Sequence, residues 1–254
     1  VLGGRLEASV HMISCMQVNN ETGALQPLDE IVRLRDAKCH DAAIHVDGVQ
    51  GFLRVPLSFR KLNIQSYAFS AHKVHGPKGV GALVARRELK LTPVLFGGGQ
   101  EEGFRSGTEN MPGILGLAEA VRTYPADGAE DMARVKRLLW DALKNAVPQA
   151  VLNGPDFGDA ACAPHILNVS FPPVRSQTML FALEGDGIYV SNGSACSSRK
   201  QKLSGVLSAM KLPADRIDSA LRFSLCPGIT DEQVAYVAAC VKKQYELLHR
   251  FVRR

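Results

Sequence analysis

The chain has 254 residues, 46% hydrophobic and 22% charged, which excludes a disordered polar chain and suffices for one or two domains with their own cores. Its 30 lysines and arginines exceed its 25 acidic residues by little, and they are scattered, so no nucleic-acid partner is expected. No apolar run approaches the roughly 18 residues of a membrane-spanning helix, which argues against a membrane partner. Alternating apolar residues predict a strand over Ala8–Met16, closed by the turn-rich loop Val18–Gly23. Pro27 and the spacing Leu28, Ile31, Val32, Leu34 predict an amphipathic helix to about Cys39. Short strands are expected at Ala42–Val46, Ser66–Ser70 and Gly81–Ala85. A glycine-rich stretch from Gly97 to Gly107 then leads into a helix over Met111–Tyr124. This order predicts a mostly parallel sheet covered by helices, with functional groups past the carboxyl ends of its strands.

Tyr124-Pro125-Ala126-Asp127-Gly128 reads as a linker, dividing the chain into 1–126 and 127–254. The second part is expected to hold a helix over Ala129–Ala146 and strands at His165–Phe171, Gly187–Val190 and Ser219–Leu225. A short helix at Gln177–Leu183 and a last helix opened by the capping pair Thr230 and Gln233 complete it. The basic run His249–Arg254 reads as its solvated end. Six cysteines are scattered without a CxxC pair or a zinc-like Cys/His spacing, so no metal and no disulfide framework are expected. A reducing, intracellular setting, cytoplasmic or within an organelle, fits such cysteines, most of which read as small buried hydrophobes. The start Val1-Leu2-Gly3-Gly4-Arg5 has no signal-peptide layout and reads as chain met in mid-domain.

Three segments carry candidate chemistry. Lys73 follows a buried strand in Ser70-Ala71-His72-Lys73. It is either a solvated loop lysine or an amine poised to form an imine with a carbonyl cofactor. Asp47 ends the strand His45-Val46-Asp47. A lone aspartate there serves most simply as a cap; beside an imine-forming lysine it would hold a pyridinium N–H. Cys196 stands among Ser191, Gly193, Ser194, Ala195, Ser197 and Ser198, with Arg199, Lys200 and Lys202 behind it. That composition predicts an exposed loop and a reactive thiol.

Seven motifs occur in the order of one family: VNNETG at 18–23, HVDGVQ at 45–50, SAHKVHGPKGVGAL at 70–83, RSGTEN at 105–110, LNVSF at 167–171, SNGSACSS at 191–198 and LRFSL at 221–225. The chain resembles the cysteine desulfurases, within the class V aminotransferases, over residues 9–250. The resemblance implies an α/β architecture, the pyridoxal-phosphate transferase fold type I: the remainder of a large domain with a mostly parallel sheet, then a smaller C-terminal α/β domain. It implies pyridoxal 5'-phosphate as cofactor, L-cysteine as substrate, a homodimer, and an iron–sulfur scaffold or sulfur carrier as acceptor. Carried over by position, Lys73 bonds to the cofactor and Asp47 pairs with its ring nitrogen. Gln50 and Asn20 lie near the ring hydroxyl, and Ser70 and His72 near the phosphate. Thr108 reaches the phosphate in the neighbouring subunit. Arg222 and Asn168 bind substrate, and Cys196 accepts sulfur.

One departure from the family pattern is large. The part that would hold the glycine-and-threonine phosphate turn and a ring-stacking histidine has no counterpart in these residues. The chain therefore reads as part of a longer protein or as one partner of a split one. Two rival readings stand beside desulfurase. One is another class V enzyme, a selenocysteine lyase or an aminotransferase; the other is a catalytically silent fragment that serves as a binding partner.

Overall fold

The structure, a computed structural model, describes residues 2–193 and 204–251. They form two compact units: Val1–Val18 with Gln26–Tyr124, and Asn19–Leu25 with Pro125–Arg254. The linear order of the sequence divides the chain once, whereas these units exchange the segment Asn19–Leu25.

The first unit holds β1 (Met12–Met16), α1 (Leu28–Lys38), β2 (Ala43–Asp47), β3 (Ser66–Ser70), β4 (Gly81–Ala85) and α2 (Met111–Thr123). Its sheet runs β1-β2-β3-β4; β1 and β3 flank β2 in parallel, and β4 returns antiparallel to β3. The expected strand at residues 8–16 is shorter. A turn from Glu7 O to Val10 N occupies its start, and pairing begins at Met12 opposite Ala43. α1 lays Leu28 and Ile31 on a core with Ile13, Ile44, Val46 and Ile64, the last three fully enclosed. Arg35, on the same helix face, donates to the carbonyls of Ala42 and Asn63 and to Gln65 Oε1, so the buried cation satisfies loop carbonyls. The sheet and the chain after it also leave apolar side chains in the open: Met12 (58% exposed), Leu83 (53%), Val94 (86%) and Phe96 (81%).

The second unit holds α3 (Gly128–Ala146), β5 (Val151–Leu152), β6 (Ile166–Ser170), α4 (Ser176–Gly185), β7 (Ser191–Asn192), α5 (Gly205–Ala209), α6 (Ala214–Asp218), β8 (Ala220–Ser224) and α7 (Asp231–His249). Its sheet order is β5-β6-β8-β7, and every pairing is antiparallel. α3 and α7 pack together, with Met132, Val135, Leu143 and Val241 sealed against Leu167, Val169 and Phe171. The capping box at Thr230 and Gln233 opens α7 as its sequence predicts. No strand forms at Gly187–Val190. Asp186 and Gly187 (φ +76°) turn the chain off α4, Ile188 N returns to Leu183 O, and pairing starts only at Ser191 opposite Arg222. β5, α5 and α6 are two to five residues long, too short for periodicity to reveal. Lys136 on α3 is 3% exposed, and its Nζ donates to Ala163 O at 2.7 Å and to Cys162 Sγ at 3.0 Å. Burial pushes its pKa down. No described helix is long and apolar enough to cross a membrane.

Candidate active site

In the first unit, Asp47 ends β2 and Lys73 lies just past the carboxyl end of the adjacent parallel strand β3. Asp47 is exposed; its Oδ1 accepts Val49 N at 2.9 Å and orders the following turn, which carries half-buried Gln50. Gly48 leaves no room for a side chain. A Cβ there would stand 1.9 Å from Tyr67 Cζ, and Tyr67 is itself held by its hydroxyl donating to Gln17 Oε1 at 2.9 Å. Gly48→Ala is therefore expected to destabilise the protein by about 1–3 kcal/mol, the usual range for overpacking, and to displace Asp47. Urea unfolding read by tyrosine fluorescence measures this; an unchanged midpoint would show that Tyr67 moves freely.

After β3 the chain makes a single 3-10 turn, Ala71–Lys73. Ala71 and Val74 are fully buried and pin the turn, which leaves His72 exposed and Ser70 and Lys73 half-buried. Beneath it, Arg54 Nη2 donates to Lys73 O, while Arg54 Nε and Nη1 are buried with no hydrogen-bond partner among the described residues. Nothing in the sequence singled out Arg54. Thr108 is exposed in the glycine-rich stretch, beside Gly107, whose N–H donates to Gln100 Oε1.

In the second unit, Asn19 Oδ1 gathers the N–H groups of Glu21 and Thr22 and the Thr22 hydroxyl, folding the segment into a compact loop. Gly23 (φ +75°) presses that loop on β6, where a Cβ would meet Ile166 O at 3.0 Å. Arg222 on β8 is half-buried; its Nη1 donates to the Asn20 carbonyl at 2.9 Å and its Nη2 to Ser191 Oγ at 3.3 Å. Asn168 on β6 lies directly opposite Arg222 in the register. Its amide is engaged inward: Nδ2 donates to Glu21 O at 3.0 Å and Oδ1 accepts from Asn153 at 2.8 Å, and the residue is 3% exposed. Cys196 lies outside the described residues. The chain leaves them past β7 and returns at Ser204, whose hydroxyl donates to the Glu21 carboxylate. Glu21, Asn153 and Ser204 were not expected as participants, although Glu21 lies within VNNETG. Among the described residues no cluster could hold a metal ion.

The donors fit pyridoxal phosphate. A carboxylate ends one strand and a primary amine follows its neighbour, which suits a ring nitrogen and an aldehyde. A hydroxyl and an imidazole stand beside the amine, and the buried guanidinium with unsatisfied N–H groups below makes ground suited to an anionic cofactor. Fold and donor set together define the pyridoxal-phosphate enzymes of fold type I. The chain belongs to the aminotransferase class-V family, whose model matches residues 3–237. It is 39% identical over 240 residues to a putative cysteine desulfurase IscS 1 of Bacillus subtilis, covering 91% of this chain and 62% of that protein. It is 35% identical over 250 residues to a cysteine desulfurase of Nostoc sp., covering 97% of this chain and 61% of the other. A solved NifS-like protein superposes with a TM-score of 0.86 at 34% identity, over 97% of this chain and 64% of that one. DndA from Streptomyces lividans superposes at 0.68 with 34% identity, over 89% of this chain and 64% of its own. The chain thus spans about three fifths of the length of the curated relatives it matches.

The open apolar groups of the first unit bear on cofactor binding. The 254-residue chain on its own is expected to bind pyridoxal phosphate weakly and to be aggregation-prone, since exposed Met12 and Leu83 mark an uncovered edge and face. An absorbance titration with light scattering checks this, and tight stoichiometric binding would contradict it.

Proposed function

We propose that these residues belong to a cysteine desulfurase, which takes sulfur from L-cysteine and leaves alanine. The observation that carries this reading is the placement of Arg222. Its guanidinium bridges the Asn19–Leu25 loop and Ser191, at the root of the segment that runs on to Cys196. A cation suited to a carboxylate, held at the start of the chain segment whose sequence carries the thiol, suits a small amino acid with a sulfur to give up.

When bound, pyridoxal phosphate supplies an electron sink for the substrate's Cα. Lys73 would hold the cofactor, and its amine would take the Cα proton from the substrate. Asp47 would keep a proton on the ring nitrogen. Arg222 holds the substrate carboxylate, and Asn20, whose carbonyl accepts from Arg222 Nη1, would lie with Gln50 near the ring hydroxyl. The Cys196 thiolate attacks the substrate sulfur; the new S–S bond forms as the C–S bond breaks, its electron pair stays on Cβ, which takes up a proton, and alanine leaves with a persulfide on Cys196. Ser70 and His72 serve the phosphate and Gln50 the ring hydroxyl. Thr108 serves the phosphate in a second copy of the chain. The exposed apolar run Val94, Leu95 and Phe96 and exposed Thr108 support that dimer. The persulfide passes to an iron–sulfur scaffold or a sulfur carrier. The free thiols at Cys15, Cys39, Cys162, Cys226 and Cys240 suit the reducing, cytoplasmic setting such transfer needs.

The test is product analysis on the full-length protein loaded with cofactor. Equimolar alanine and sulfide from L-cysteine with a reductant are expected. A keto acid in place of alanine would make the protein an aminotransferase, for which Cys196 has no task.

A further inference from the structure

We propose that Asn168 and Glu21 are positioning residues that set the substrate-carboxylate grip of Arg222 without touching substrate. The inference rests on the desulfurase reading above and changes the part Asn168 plays in it. Arg222 Nη1 rests on the Asn20 carbonyl at 2.9 Å and Nη2 on Ser191 Oγ at 3.3 Å, so the position of that carbonyl helps to set the aim of the guanidinium. Asn20 is held from both sides. On one side, Asn19 Oδ1 closes the turn onto Glu21 and Thr22. On the other, Glu21 is clamped twice: its carbonyl accepts from Asn168 Nδ2 at 3.0 Å, and its carboxylate accepts from Ser204 Oγ.

The clamp is built of buried groups. Glu21 is 4% exposed, Asn168 3% and Asn153 0%. The Asn153 amide donates to Asn168 Oδ1 at 2.8 Å and to Ser170 Oγ at 2.6 Å, while Asn153 Oδ1 accepts from Arg216 Nε at 2.6 Å. With its oxygen thus taken by a donor, Asn168 has only its NH2 to offer Glu21, which fixes the amide's orientation. Asn168 faces Arg222 across the β6–β8 register, so the strand beside the arginine supports the loop that aims it. A long side chain already held in its binding pose loses less freedom when a carboxylate arrives.

The experiment uses the full-length cofactor-loaded enzyme and two part-substrates: 3-mercaptopropionate, a carboxylate without the amine, and cysteamine, an amine without the carboxylate. Asn168→Asp keeps the acceptor for Asn153 but sets an oxygen against Glu21 O. Calorimetry is expected to show 3-mercaptopropionate binding weakened about tenfold, the cost of one lost buried hydrogen bond, with cysteamine binding within about twofold. KM for L-cysteine rises in step while kcat stays within about twofold. Glu21→Asp, which keeps the charge and shortens the reach, shifts the same ligand in the same direction and decides the matter if Asn168→Asp does not fold. In an Arg222→Lys background Asn168→Asp adds nothing further, as expected of residues acting through one group. Unchanged 3-mercaptopropionate binding in a folded variant would overturn the inference, and so would equal losses for both ligands. If the wild type makes no alanine from L-cysteine, the desulfurase reading falls, while the two binding isotherms still judge the clamp.

Discussion

Cys196→Ala in the full-length, cofactor-loaded enzyme is expected to abolish persulfide formation and reduce sulfide release to background, while cofactor absorbance and its response to L-cysteine persist. The division follows from where the groups lie in the chain. Lys73 follows β3 and Asp47 ends β2 of the first unit's sheet, and in the proposed mechanism they would hold the cofactor without help from the thiol. Cys196 has small and polar neighbours, with Arg199, Lys200 and Lys202 behind it to favour the thiolate. Its competitors are less suited. Cys39 and Cys240 are buried, and burial pushes the Cys15 thiol pKa up, leaving less thiolate at neutral pH. Cys226 is the exposed alternative, two residues past β8. Persulfide trapped after one turnover and mapped by mass spectrometry separates the two. A persulfide on Cys226, with wild-type turnover in Cys196→Ala, would end the proposal.

Lys73→Ala is expected to cost more than about a thousandfold in turnover, the upper range for losing a positioned acid–base group, because the same amine also holds the cofactor. Borohydride reduction of the loaded wild type, followed by peptide mapping, is expected to place the pyridoxyl group on Lys73. Lys78 is the control, five residues further along the loop between β3 and β4. The turn explains the choice. Buried Ala71 and Val74 hold its backbone, Arg54 grips the Lys73 carbonyl, and only the side chain of Lys73 remains to move. A label on Lys78 would overturn the assignment and with it the pairing with Asp47.

Much of this was legible in the sequence because it is written in local signals. Pro27 with the Leu28–Ile31 spacing placed α1, the Thr230 and Gln233 pair placed the start of α7, and short runs placed β3 and β4 to the residue. Lys73 and Cys196 stood out by themselves, an amine after a buried strand and a thiol among small polar residues, whereas Arg222 and the role of Asp47 came from the family resemblance of the motifs. Other features depend on partners distant in sequence, and only the tertiary structure decided them. The loop Asn19–Leu25 follows β1 in sequence, yet it belongs to the second unit, since Ala161, Ala163 and Asn168 supply its backbone partners. The strand expected at Gly187–Val190 gave way to Ser191–Asn192 because pairing waits on where β8 lies. The resemblance implies Asn168 as a substrate-pocket residue, and only folding shows that its amide meets Asn153 and Glu21, 15 and 147 residues away in sequence. A side chain's identity states which bonds it can make; which ones it does make depends on the atoms that folding brings within about 3 Å of it.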